Sequence, residues 1–141
     1  MTPLEALQQT LAGEHAAVYV YGVLGGRVSS SAQPSLASRI GAAYAAHRGR
    51  RDQLTAMVRA AGGDPVAAAV SYDLTGPCRT ARQLDAAGLL LEQRCTALYA
   101  TGVGSTSRAD RQWMIDALAD AAVRLLSFGG SASAFPGAAE L

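Results

Sequence analysis

The stretch Leu4–Tyr21, LEALQQTLAGEHAAVYVY, decides the fold because its apolar side chains recur at alternating steps of three and four residues. This spacing places them on one face of an α-helix, and such a face is buried against neighbouring elements. Thr2, Pro3 and Glu5 form the N-cap, first-turn proline and capping-box carboxylate that open a helix. We therefore predict a first helix from residue 3 to about residue 28.

Two titratable side chains interrupt apolar helical faces. Glu14 lies in line with Leu11 and Val18 on the first helix, where an unpaired carboxylate would be strongly destabilising, so it must face a partner, a metal or a proton. A second helix, predicted from Pro34 to Ala61, carries His47 in the middle of its own apolar stripe. Each group lies near the middle of its helix. We expect the functional site of the protein where the two groups meet.

Two further helices follow a long connection, residues 62–79, in which Asp64 and Pro65 are able to start one or two helical turns. The third helix is predicted from Thr80 to about Thr101, with Glu92 beside its apolar stripe, and a short turn should follow it. Ser107 with Asp110 predicts a second capping box at the start of the fourth helix.

Four helices with short links inside each pair predict an all-α fold, a four-helix bundle built from two antiparallel helical hairpins. The 62–79 connection is long enough to cross the length of the bundle, which would make the second and third helices parallel. We assign residues 1–128 to the bundle and residues 129–141 to a C-terminal tail, pinned by Phe135.

Composition limits the classes of function. The chain has 141 residues, half of them hydrophobic, which suits one domain with its own core. A net charge of +1 argues against nucleic acid as a partner, and the absence of a long apolar run argues against a membrane. No export signal is recognisable, and Cys78 and Cys95 indicate no disulfide framework, so we expect a cytoplasmic protein. The alanine-rich core predicts a homodimer.

The sequence also resembles a known superfamily, over nearly its whole length. The matching segments are Leu11–Tyr19, around Glu14, then Ala46–Asp52, around His47, and the terminal Ala134–Gly137. These segments resemble the ferritin-like superfamily and are most similar to a bacterial ferritin-like domain family with no assigned activity. The resemblance implies a ferritin-like bundle.

The resemblance also implies where a dimetal site would lie. Dimetal members of the superfamily use one glutamate from each of two helices and a Glu-x-x-His pair from each of the others. Glu14, His47 and Glu92 match three of these ligands. Tyr44 stands where the second helix should supply its glutamate, and the fourth helix offers Asp116 but no histidine. The ligand set is therefore incomplete.

Two hypotheses follow from these residues. In the first, the protein is a non-catalytic binding or interaction module with no cofactor, and Glu14, His47, Arg51 and Glu92 form a buried polar network in place of a degenerate metal site. In the second, it is a metal-dependent oxidase or a metal-binding or storage protein. That protein would hold iron or manganese on Glu14, His47, Glu92 and Asp116. The sequence identifies no catalytic residue and no ligand, and it does not decide between an enzyme and a binding protein.

Overall fold

A computed structural model describes residues 1–74 and 76–138, and all regular elements in these residues are helices. They are α1 (Pro3–Arg27), α2 (Pro34–Ala60), α3 (Ala81–Ser105) and α4 (Arg108–Ser127). α1 packs along α2, α3 packs along α4, and the two hairpins meet mainly where α1 contacts α3. The predicted all-α four-helix bundle is confirmed.

The connection between the hairpins is a crossover, as predicted. Tyr99 of α3 contacts Glu14 of α1, and Glu92 of α3 contacts Tyr21 of α1. The residue numbers of the contacting positions therefore rise along α1 as they fall along α3. α1 and α3 are therefore antiparallel, which makes α2 and α3 parallel. The helical turns expected from residue 64 are absent from the described connection. An extended chain spans about twice the distance per residue of a helix, which suits a segment that must cross the bundle.

Side chains of α1 hold the start of this connection. Gln8 donates from Nε2 to the Asp64 carbonyl at 2.6 Å, and its Oε1 accepts from the Val66 amide at 2.9 Å. His15 Nε2 lies 3.0 Å from the Val66 carbonyl. The connection is thereby fixed against the outer side of α1.

The helix ends show which sequence signals were reliable. The capping box of Thr2 and Glu5 is confirmed. The end predicted near Thr101 is wrong, because α3 continues through Gly102 to Ser105. A Cβ on Gly102 would lie 2.5 Å from Met114 Sδ, so this glycine permits close packing of α3 on α4 rather than ending the helix.

The predicted capping box at Ser107 is also wrong. Ser107 occupies the N-cap position of α4, but its side chain makes no capping hydrogen bond. The next residue, Arg108, has a left-handed φ of 53°, so the backbone does not enter α4 with the geometry of an ordinary N-cap. The helix therefore begins without the reciprocal contacts that the sequence suggested.

The tail folds back onto α3 through its backbone. Gly137 has a φ of +77°, and a Cβ there would lie 2.4 Å from the Thr96 carbonyl oxygen. The side chain of Phe135 is 77% exposed, so the prediction that it anchors the tail to the bundle is wrong. Residues 139–141 of the predicted tail lie outside the described residues. In the part of the chain that the structure describes, no helix combines the length and apolar character needed to cross a membrane.

Candidate functional site

Glu14, His47 and Glu92 meet in the centre of the bundle, and we call them the acid–imidazole cluster. They come from α1, α2 and α3 and are 1%, 0% and 0% exposed. His47 Nδ1 lies 2.7 Å from Glu14 Oε2, and His47 Nε2 lies 3.1 Å from Glu92 Oε1. The imidazole therefore stands between two carboxylates, one at each nitrogen.

This arrangement favours the charged form of His47. An ionised carboxylate only accepts hydrogen bonds, so both ring nitrogens must carry a proton to satisfy Glu14 and Glu92 together. Burial alone would lower the pKa of His47, but the hydrogen bonds and negative charges of the two glutamates outweigh it, and the pKa is raised. The imidazolium form thus persists to a higher pH than in a solvated histidine.

Two buried tyrosines complete the contacts of the carboxylates. Tyr21 of α1 donates to Glu92 Oε1 of α3 at 2.6 Å, and Tyr99 of α3 donates to Glu14 Oε1 of α1. The Tyr21 ring also stacks on His47, with centroids 5.3 Å apart and planes 20° from parallel. Burial, followed by the nearby negative charges, raises the pKa of both tyrosines, so both remain neutral donors.

Arg50 extends the cluster to α4. Its Nη1 donates to the Tyr99 hydroxyl at 3.2 Å, and its Nη2 donates to Asp120, which also accepts from Arg124 Nη1 at 2.8 Å. Burial raises the pKa of Asp120, but Arg124 and Arg50 more than offset this and hold it below its usual value. The cations His47 and Arg50 therefore balance the two interior glutamates, and hydrogen bonds link all four helices.

The structure brings Glu14, His47 and Glu92 together but leaves out two residues expected with them. Arg51, predicted to pair with Glu14, contacts its neighbour Asp52 instead, with Nη2 2.7 Å from Oδ1. The buried arginine is Arg50, one position earlier, which is linked to Glu14 through the Tyr99 hydroxyl and contacts Asp120 of α4. Asp116 is exposed and accepts from Gln112 Nε2 at 2.9 Å, so it is not a fourth member of the cluster.

Sequence reasoning missed Tyr21, Tyr99 and Arg50 as members of the site. One signal was present, since a tyrosine follows the glutamate by seven residues in both α1 and α3. Seven residues make two helical turns, so each pair shares a face. In antiparallel helices the two pairs can then contact each other reciprocally.

The cluster does not fit a single metal ion. Nδ1 and Nε2 lie on different edges of the imidazole ring, so an ion bound to one nitrogen is out of reach of the glutamate at the other. Within residues 1–74 and 76–138, no group of three or more His, Cys, Asp or Glu side chains is arranged to hold a metal. Glu92 Oε2 is buried and makes no hydrogen bond with the described residues.

Comparison with known proteins places the chain in a family. Residues 6–140 match the family described as a domain of unknown function, DUF4439. The chain belongs to this family. This DUF4439 chain is similar to a conserved hypothetical protein of Mycobacterium tuberculosis, rv2844, for which a crystal structure exists. The two sequences are 26% identical, and the two structures superpose with a TM-score of 0.83. The match covers 90% of this chain and 94% of that one. No curated protein matches the chain.

Proposed function

We propose that this DUF4439 chain is a non-catalytic binding or interaction module. Its fold is a ferritin-like bundle in which the acid–imidazole cluster stands in place of a metal centre. One observation supports this proposal above the others, namely that both nitrogens of His47 are engaged by carboxylates. Each carboxylate is also held by a tyrosine of the opposite helix. Direct hydrogen bonds therefore occupy both nitrogens of His47, both carboxylate oxygens of Glu14 and Oε1 of Glu92, which would otherwise be available to a cation.

The role of the cluster in this proposal is to fix which helices face each other. A buried ion pair contributes little net stability compared with apolar residues of the same volume. Removal of one partner, in contrast, is strongly destabilising, because a buried charge is left without compensation. A cluster shared among α1, α2 and α3 therefore favours one register of the two hairpins and leaves their outer surfaces to bind a partner or ligand.

A second candidate is a metal-dependent oxidase or a metal-binding or storage protein that uses iron or manganese. One observation favours it, which is that Glu92 Oε2 is buried without a hydrogen-bond donor among the described residues. Such an oxygen suits a cation or a bound water. The diverging contacts of His47 and the surface position of Asp116 count against a site built from the four sequence-predicted ligands.

Metal analysis separates the two candidates. The protein is purified without chelator, incubated with Fe(II) or Mn(II) under anaerobic conditions, and desalted before its metal content is measured. Our proposal expects a content well below one ion per chain, unchanged in Glu92→Gln and in the surface control Asp52→Asn, whose exposed carboxylate pairs with Arg51. One or more ions per chain, lost in Glu92→Gln and retained in the control, would show that the second candidate is right.

A further inference from the structure

A cavity of about 230 Å³ lies between α1 and α3, beneath the crossover connection. Its lining is mainly apolar, with Ala16 and Val20 from α1 and Leu91 and Leu98 from α3. Cys95 also lines it, and burial, together with the nearby Glu14 and Glu92, raises the pKa of its thiol. The thiol therefore stays neutral, and the interior of the cavity suits a hydrocarbon group.

The crossover connection covers this cavity and is held in place by contacts with α1. Tyr72 lines it and packs against Tyr19 of α1, with ring centroids 5.5 Å apart. The Tyr72 hydroxyl accepts from the Ala69 amide at 2.9 Å, and the hydrogen bonds of Gln8 and His15 hold the start of the same segment. The cavity is therefore preformed, which lowers the entropy that a ligand must lose to occupy it.

Two opposite charges also line the cavity, Asp73 on the connection and Arg94 on α3. Neither takes part in an ion pair among residues 1–74 and 76–138, although six such pairs occur there. Arg94 and Asp73 are both exposed, so each can reach a ligand from the solvent side. The cavity thus combines apolar walls with one cationic and one anionic group.

We propose that this cavity binds a small zwitterion with an apolar body, of which a free apolar α-amino acid is the simplest example. The hydrocarbon group would fill the space between Val20, Leu91 and Leu98, with the carboxylate at Arg94 and the ammonium group at Asp73. An apolar cavity of about 150 Å³ accommodates benzene, so a larger one is sufficient for a leucine or phenylalanine side chain. This inference rests on the proposed function, for which it names the class of ligand.

The test uses isothermal titration calorimetry of the full chain with L-leucine and L-phenylalanine. Three truncated probes accompany them, 4-methylpentanoate without the ammonium group, 3-methylbutylamine without the carboxylate, and glycine without the hydrocarbon. We expect at least one of the two amino acids to bind. Each truncated probe should bind at least about fivefold more weakly, because it loses one of the three contacts. Equal binding of 4-methylpentanoate would overturn the assignment of a zwitterion.

Variants locate the binding site. Arg94→Gln and Asp73→Asn change only exposed side chains and should each weaken binding about fivefold. Arg82→Gln, which changes an exposed arginine in the first turn of α3, is the matched control and should leave binding unchanged. Ala16→Leu should fill the cavity and abolish binding. Unchanged affinity in both charge variants overturns the proposal, as does the absence of binding to the folded native chain at millimolar ligand.

These outcomes are distinguishable from failure of the proposed function. A chain that holds no metal and binds none of the five probes would still be a bundle organised by the acid–imidazole cluster, and only the ligand assignment would be lost. A chain with stoichiometric metal removed by Glu92→Gln would overturn the proposed function itself. The calorimetric and metal measurements therefore test separate statements.

Discussion

The substitution Glu14→Gln is the sharpest test of the acid–imidazole cluster because it removes a charge without opening a cavity. The glutamine can still accept from Tyr99, but it presents an uncharged group to His47 Nδ1. His47 then keeps one carboxylate, Glu92, and Arg50 keeps Asp120, which it shares with Arg124, so three cations face two acids. The native state must either retain an uncompensated charge or release the His47 proton.

The expected loss of stability follows from this imbalance. Loss of one partner of a buried ion pair costs about 3–5 kcal/mol. We expect the lower end, about 3 kcal/mol, because Glu92 remains beside the imidazole. For a chain of this size each kcal/mol lowers the melting temperature by about 3 °C, so the melting temperature should fall by about 10 °C.

Thermal unfolding and urea titration, both followed by circular dichroism, measure this effect. Asp116→Asn is the matched control, since it removes a carboxylate charge of the exposed surface and should change the free energy of unfolding by no more than about 0.5 kcal/mol. A double-mutant cycle with His47→Gln should show that Glu14→Gln costs much less once the imidazole is absent. Equal effects of Glu14→Gln and the control would refute the reasoning.

Three further predictions concern pH, the glycines and assembly. Because the pKa of His47 is raised on folding, its contribution to stability should be complete below about pH 6.5 and decline as the pH rises through the folded-state pKa. Urea titrations from about pH 6 to pH 9 should show this slope in the native chain and a flatter one in His47→Gln. Gly137→Ala should destabilise the protein by about 1–3 kcal/mol and expose the tail to proteolysis, because the methyl group would meet the Thr96 carbonyl at a positive φ. Gly104→Ala, a helical position where the added Cβ meets no atom within 4 Å, should instead stabilise it by up to about 1 kcal/mol, and chemical denaturation measures both. We also propose that the chain is a homodimer, so light scattering should give twice 14.5 kDa, and Val123→Glu on the exposed apolar side of α4 should give the monomer.

Much of the fold could be predicted from local sequence. Helical periodicity and the capping box of Thr2 and Glu5 define α1, and the length of the 62–79 connection predicts the crossover. The end of α3 was misplaced because a glycine near the end of a helix can either terminate the helix or permit close packing against a neighbour. Gly102 permits close packing against Met114 of α4, which depends on how the two helices pack and not on the residues next to Gly102 in the sequence.

The site was predictable only in its central residues. Glu14 and His47 are visible because each interrupts an apolar face, whereas their other partners depend on the arrangement of the helices. Arg50 and Arg51 follow His47 by three and four residues, and both spacings lie on the same side of a helix. Only the positions of Tyr99 and Asp120, on α3 and α4, decide that Arg50 is the buried one.

The division of the acid–imidazole cluster between the two hairpins has a consequence for assembly. The first hairpin carries Glu14 and His47, and the second carries Glu92. If two copies of the second hairpin paired with each other, two glutamates would be buried with no imidazole between them. Two copies of the first would bury two histidines with one glutamate for each, half the number per imidazole in the native bundle, and would leave Arg50 of each copy without Asp120 of α4. Each half is thus electrostatically matched to the other half and mismatched to itself, which disfavours exchange of like hairpins between chains during folding.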